Sequence, residues 1–220
     1  MTREVSVEQA ILSDNAHNAE ENRAWFARER VYVLNLMSGA GAGKTTLLER
    51  TIDTLRGRLR MAVIAGDLET RRDADRLARH GVPVVQINTG GACHIEAHQI
   101  ARAAADLPLE TLDLLIIKNV GNLVCPAEFA LGETDKAMIL STTEGHDKPA
   151  KYPLMFKESR ALILNKIDLL PYTNFDMDAA IADAKSLNPT LEVFPLSART
   201  GDGFADFAAW LEARAASAQA

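Results

Sequence analysis

An apolar run, Val31–Met37, passes without a spacer into Ser38–Gly39–Ala40–Gly41–Ala42–Gly43–Lys44–Thr45–Thr46, and an amphipathic stretch, Lys44–Arg58, follows at once. Strand, glycine-rich loop and helix in that order form a cradle for phosphate. Glycines at Gly39, Gly41 and Gly43, with Ala40 and Ala42 between them, let backbone N–H groups turn inward around phosphate oxygens. Lys44 then supplies a point charge to the β and γ phosphates, and the Thr45 hydroxyl and its neighbour Thr46 stand at a helix N-terminus where Mg²⁺ can be ligated. Ser38 occupies the place where such loops usually begin with glycine. Both flanks the motif requires are present, so the segment predicts a nucleoside triphosphate site.

The rest of the chain supports the same fold class. Apolar runs at Met61–Ala65, Val84–Ile87, Leu112–Ile117, Ala137–Leu140, Ala161–Leu164 and Leu191–Pro195 alternate with helix-like stretches at Thr70–His80, Cys93–Ala105, Lys151–Lys157, Asp176–Leu187 and Phe204–Ala216. With Val31–Met37 they predict a seven-stranded, doubly wound, mainly parallel α/β sheet with helices on both faces. Residues 1–30 predict an N-terminal helical extension in pieces broken near Ser13–Asn15, and residues 31–220 one nucleotide-binding domain. Hydrophobic content of 47% and charged content of 25% are those of an ordinary globular protein, and no apolar run approaches the roughly 20 residues that span a bilayer. A net charge of −6 argues against nucleic-acid binding, which draws its affinity from clustered Lys and Arg. No secretory pattern opens the sequence, so the expected location is cytoplasmic, with no membrane partner.

Two downstream motifs name the base. Ile163–Leu164–Asn165–Lys166–Ile167–Asp168 ends an apolar run in Asn-Lys-x-Asp. A carboxylate at Asp168 can accept hydrogen bonds from N1–H and the exocyclic N2 amine of guanine, a pair adenine lacks; Asn165 can address the purine edge or support the loop, and the Lys166 stem packs over the ring. Pro195–Leu196–Ser197–Ala198–Arg199 resembles the Ser-Ala-Lys loop of GTP-binding proteins, in which a backbone N–H reaches the guanine carbonyl. Each is short, but their order after a phosphate loop predicts GTP.

Gly90–Gly91–Ala92–Cys93–His94–Ile95–Glu96–Ala97–His98 gathers a thiol, two imidazoles and a carboxylate around an expected helix start. There His94 and His98 would share one helical face and the helix terminus would favour the Cys93 thiolate. Cys125, after another strand, can approach Cys93 in space. Spacing alone leaves a metal site and a pair of structural thiols equally open, since three ligands per chain is the most that Cys93, His94 and Cys125 supply.

These segments together resemble the HypB family, the nickel-incorporation GTPases of [NiFe]-hydrogenase maturation. The resemblance runs through Gly66–Asp67–Leu68–Glu69–Thr70, Asp73–Ala74–Asp75–Arg76, Gln86–Ile87–Asn88–Thr89–Gly90, Asn119–Val120–Gly121–Asn122–Leu123–Val124–Cys125–Pro126, Thr143–Glu144–Gly145, Asp147–Lys148–Pro149 and Asn165 to Pro171. It implies the SIMIBI branch of P-loop GTPases, the group shared with signal-recognition and MinD-like proteins. It also implies a GTP-stabilised homodimer, Ni²⁺ or Zn²⁺ at Cys93, His94 and Cys125 near the interface, and Asp67 facing Mg²⁺ and the attacking water. The implied partners are a HypA-type nickel metallochaperone and the [NiFe]-hydrogenase large-subunit precursor.

Three departures qualify the resemblance. Lys118 stands where relatives usually carry glutamate, which reverses a charge beside phosphates and metal. Slowed hydrolysis, a Lys118 turned to phosphate or solvent while Asp67 serves the Mg²⁺, and an introduced substitution all account for it. The N-terminal segment has only His17 and no cysteine, so bulk nickel storage is not expected. His146 replaces a common acid and reads as a solvated loop residue, with a metal contact as the lesser alternative. A urease-type nickel GTPase is the nearest alternative, weakened because Ala127 and not histidine follows Cys125–Pro126; a GTP-binding scaffold without turnover, motivated by Lys118, is another. A small-molecule kinase would gain nothing from guanine selectivity.

Overall fold

In the computed structural model, backbone is described from Val7 onward and side chains from Leu12 onward. Seven strands form one sheet in the order β3-β2-β4-β1-β5-β6-β7, and every neighbouring pair is parallel. The strands are β1 (Tyr32–Ser38), β2 (Met61–Asp67), β3 (Val84–Asn88), β4 (Leu114–Gly121), β5 (Asp135–Ser141), β6 (Ala161–Asn165) and β7 (Glu192–Leu196). Each contains most of one expected apolar run. The runs of the inner strands are nearly continuous because those strands are covered on both faces, while the edge strands β3 and β7 are half-buried and carry Gln86 and Glu192.

Period-two alternation assigns the faces. Tyr32, Leu34 and Leu36 of β1 pack with α2 (Lys44–Leu55), α3 (Arg72–Ala78) and α9 (Phe204–Gln219), through Leu47, Ile52, Leu77, Phe207 and Leu211. Val33 points the other way, into a cluster with Phe26 of α1 (Val7–Arg28) and Ile100 and Ala104 of α4 (Ala97–Ala104). Met37 joins a third cluster beneath α7 (Pro153–Lys157) and α8 (Met177–Leu187), with Met155, Phe156 and Ala184. The stretch expected as one helix at Lys151–Lys157 is two, α6 (Lys148–Lys151) and α7, because Pro153 has no N–H to continue the first and instead opens the second. A four-residue helix, α5 (Cys125–Glu128), follows β4.

The N-terminal segment departs from expectation. It forms one helix, α1, unbroken through Ser13–Asn15. Asn15 is not a breaker but a buried clamp: its Nδ2 donates to the Ala130 carbonyl and its Oδ1 accepts from the Ala97 N–H, each at 2.8 Å. One turn-pair further, Asn22 Nδ2 donates to the carbonyls of Ala97 and Leu131. The expected apolar positions Ala10 and Ile11 lie outside the described side chains. Asn15→Ala leaves an N–H and a carbonyl without partners, and is expected to cost roughly 2 kcal/mol and about 5 °C in melting midpoint. An unchanged midpoint in thermal denaturation would show that Asn15 adds nothing to the hold that Asn22 and Phe26 have on α1.

Because all strands run the same way, Ser38, Asp67, Lys118, Asn165 and Leu196 reach one edge of the sheet. Ligands of such sheets sit beyond this carboxyl edge.

Candidate nucleotide and metal sites

The phosphate loop leaves β1 at Ser38 and turns with positive φ at Gly41 (77°) and Gly43 (103°) before Lys44 opens α2. A Cβ at Gly43 would collide with Asn165 Nδ2, so this glycine is required by close approach as well as by its φ. Lys44 folds back over its own loop, donating to Ser38 Oγ at 2.5 Å and lying 3.3 Å from the Gly39 carbonyl. Ser38 in turn donates to the Gly39 carbonyl at 2.6 Å, so the serine that replaces the first glycine holds the lysine in place. Burial, reinforced by the charge of Lys118, pushes the Lys44 ammonium down to about 8. It is a buried cation facing a cavity of about 350 Å³.

The wall opposite Lys44 differs from expectation. The Thr45 hydroxyl donates to Asp73 Oδ2 at 2.8 Å, and Lys118 Nζ reaches the same oxygen at 2.9 Å and the Gly66 carbonyl at 3.2 Å. Asp67 lines the cavity but uses Oδ1 to accept from the backbone N–H groups of Glu69 and Thr70. Burial pushes the Asp73 carboxyl up, but the hydrogen bonds from Lys118 and Thr45 outweigh it and hold it below the usual carboxylate range. Asp73 escaped the sequence reading as a site residue, since an acid in the first turn of a helix is ordinary. Lys118 turns neither to solvent nor away from the pocket; it is 4% exposed. Mg²⁺ asks for an octahedral oxygen shell at about 2.1 Å. With Thr45 committed to Asp73 and an ammonium on the same carboxylate, the residues as arranged do not fit that ion.

At the base end, Asn165 is fully committed to the scaffold. Its Nδ2 donates to the Ala42 carbonyl at 2.9 Å and its Oδ1 accepts from the Ala198 N–H at 3.0 Å, tying the phosphate loop to the Ser197–Ala198 turn. Of its two expected roles it takes loop support. The same bond means that the Ala198 N–H is not the group aimed at a base carbonyl. Lys166 has φ 66° and donates from Nζ to the Gly41 carbonyl at 2.8 Å, so its stem runs along the cavity wall. Ser197 is buried and its Oγ accepts from the Thr200 N–H. Arg50 of α2, which no motif announced, donates to the carbonyls of Ala198 and Arg199 and fixes the turn. Asp168 alone is unspent: its Oδ1 is buried without a hydrogen-bond partner, beside a cavity of about 280 Å³ lined by Thr46, Lys166, Leu169 and Ala198. An orphaned buried carboxylate oxygen is the observation a guanine edge would explain.

Cys93, His94 and Cys125 converge, with one ligand atom from each inside a 4.8 Å span. Cys93 Sγ lies 2.8 Å from Cys125 Sγ and 3.6 Å from His94 Nδ1, and Asn122 Nδ2 donates to Cys125 Sγ at 3.6 Å. The cluster forms although α4 begins four residues later than expected. Glu96 caps that helix in a capping box with Gln99, so Cys93 and His94 lie in the preceding loop and not in the first turn of α4. His94 and His98 therefore share no face; His98 pairs with Glu96 and His94 stacks on Phe129, ring centroids 3.8 Å apart. His146 packs edge-on against Phe175, away from the thiols. Burial lowers the His94 imidazole, favouring the neutral form that ligates metal, while burial and the neighbouring Cys93 push the Cys125 thiol up to about 11. Two sulfurs and a nitrogen suit a borderline divalent cation.

The profile of the CobW/HypB/UreG nucleotide-binding domain matches residues 32–195. A hydrogenase maturation factor HypB of Azotobacter vinelandii is 52% identical over 211 residues, 96% of this chain and 70% of that protein. The chain belongs to the HypB family. A crystal structure of HypB from Helicobacter pylori in complex with nickel superposes at TM-score 0.88 with 40% identity, covering 93% of this chain and 96% of that one. The signal recognition particle receptor FtsY of Elizabethkingia anophelis superposes at 0.54 with 18% identity over 80% of this chain and 65% of its own. That likeness speaks to fold alone. Membership makes the chain a hydrogenase maturation factor with a P-loop nucleotide-binding domain. Among the described residues, no helix is long and apolar enough to cross a membrane.

Proposed function

We propose that this chain is a GTP-hydrolysing metallochaperone that carries nickel to the precursor of the [NiFe]-hydrogenase large subunit. The observation that carries the reading is that one strand serves both sites: β4 brings Lys118 to the phosphate pocket, and seven residues on the same chain supplies Cys125 to the thiol cluster. The helix α1 is then an N-terminal extension on a nucleotide-binding domain spanning 31–220. Gly39 to Thr46 cradle the phosphates, and Lys44 neutralises charge on the β and γ groups. Asp67, at the cavity mouth, orients the attacking water, so the chemistry is positioning and charge stabilisation. Asp168 reads guanine, with Asn165, Lys166, Ser197 and Ala198 holding the pocket around it.

Nickel is the cargo, held by Cys93, His94 and Cys125. Zn²⁺ suits the same donors, and the metal-affinity order gives nickel no advantage over it. Three ligands from one chain leave coordination positions open, which a two-fold homodimer would fill. GTP binding would close that dimer, and hydrolysis would open it for exchange with a HypA-type partner and the hydrogenase precursor in the cytoplasm. The experiment is native mass and metal content of the full chain, with and without a non-hydrolysable GTP analogue. A nickel-loaded dimer formed only with the analogue is expected. The same mass and metal content in both conditions would end the coupling of the two sites.

A further inference from the structure

Lys118 is an ammonium buried at the centre of the carboxyl edge of the sheet, in register with Leu36 of β1 and Ala65 of β2. Two oxygen groups contact it, and a third binds one of them. Asp73 Oδ2 lies 2.9 Å from Nζ and the Gly66 carbonyl 3.2 Å, while the Thr45 hydroxyl shares that Asp73 oxygen at 2.8 Å. Carboxylate and carbonyl oxygens on a positive centre, with a hydroxyl bonded to that carboxylate, resemble the surroundings of a bound hard cation. Here the positive centre is covalently part of the chain.

Charge in the cavity points the same way. Lys44 and Lys118 both line it, and the carboxylate of Asp73 is engaged by Lys118, leaving Lys44 on hydroxyl and carbonyl oxygens only. The cations Lys44, Lys118 and Arg76 outnumber the carboxylates Asp67 and Asp73 in the lining, and with Asp73 engaged by Lys118 this balance favours a polyanion and opposes a further dication placed between the two ammonium groups. On the reading that the cavity takes a nucleotide, we propose that Lys118 is its resident cation. The ammonium holds the place beside Thr45 and Asp73 that a divalent ion would take, and the nucleotide binds as the metal-free anion. Asp73 positions Lys118, and Thr45 positions Asp73.

The test measures affinity of the full chain for fluorescent GDP and a non-hydrolysable GTP analogue, in millimolar Mg²⁺ and in EDTA. Wild-type affinity is expected to change by less than about threefold, whereas Lys118→Glu, which supplies a carboxylate in place of the ammonium, should lose at least about 30-fold on metal removal. Electron paramagnetic resonance of Mn²⁺ gives a readout independent of affinity. With nucleotide present, the wild-type chain should hold no stoichiometric Mn²⁺, and Lys118→Glu about one ion per chain. Wild-type affinity that falls about tenfold or more in EDTA, or one Mn²⁺ per bound nucleotide, would overturn the assignment while leaving the nucleotide site standing. Absence of nucleotide binding in either buffer would overturn both. Should Lys118→Glu fail to fold, the two wild-type measurements decide the question.

Discussion

Asp168→Ala is expected to lower GTP affinity by about 100-fold and leave ATP affinity within about threefold, erasing the preference between them. The magnitude follows from what the carboxylate lacks. Its Oδ1 is buried without a partner beside the cavity, whereas every other polar group of the Asn165–Asp168 segment described above is spent on the scaffold. Two charge-assisted bonds to N1–H and the N2 amine of guanine would each contribute about 1.5 kcal/mol net, together about 3 kcal/mol, or roughly two decades in affinity. Adenine offers neither donor in that position and would leave the carboxylate orphaned. The unliganded variant should be at least as stable as wild type, because the substitution removes an unsatisfied buried oxygen. Loss of binding without loss of melting temperature therefore separates a reading role from unfolding. Competition of GTP and ATP against a fluorescent guanine nucleotide makes the measurement. Equal wild-type affinity for both nucleotides would remove Asp168 from the recognition role.

What the sequence made legible was local. Apolar runs marked all seven strands, most cleanly the inner ones, where burial on both faces leaves little room for polar residues, and the phosphate loop was readable because its glycines and Lys44 act within nine residues. Features that failed depend on partners far along the chain. Asn15 looks like a helix breaker until the Ala97 N–H donates to its Oδ1 and the Ala130 carbonyl accepts from its Nδ2. Asp73 and Arg50 look like ordinary helix-surface charges until tertiary packing brings Lys118 to one and the Ala198 turn to the other. The start of α4 was misplaced because Cys93 and His94 read as helix, while the Glu96–Gln99 capping box fixes the boundary after them. Convergence of Cys93 and Cys125 is a consequence of strand order: β3 and β4 flank β2, so the loops that follow them meet above its end. No spacing rule encodes that.

Cys93→Ala and Cys125→Ala are each expected to reduce bound Ni²⁺ or Zn²⁺ from about one per chain to below about 0.2 at micromolar metal, with nucleotide affinity unchanged within about twofold. The cluster offers three donors, so deleting one thiol leaves two, too few to displace several waters from a dication at these concentrations. His94→Ala should also lose metal, with an added cost in local order because its ring stacks on Phe129. The fold should survive each thiol replacement, since Cys93 is exposed and Cys125 half-buried. Metal content by mass spectrometry after gel filtration reads the outcome, and unchanged stoichiometry in either variant would mean that the thiols are structural. Covalent proximity adds a sharper expectation. Asn122 donates to Cys125 Sγ and follows Gly121, whose missing Cβ lets the chain lie against Ala40 of the phosphate loop. Any shift of that loop on nucleotide binding is therefore transmitted to Cys125 through three residues. If this contact couples the sites, Gly121→Ala should weaken the effect of a GTP analogue on metal affinity while leaving the affinity of the nucleotide-free chain for nickel near its original value.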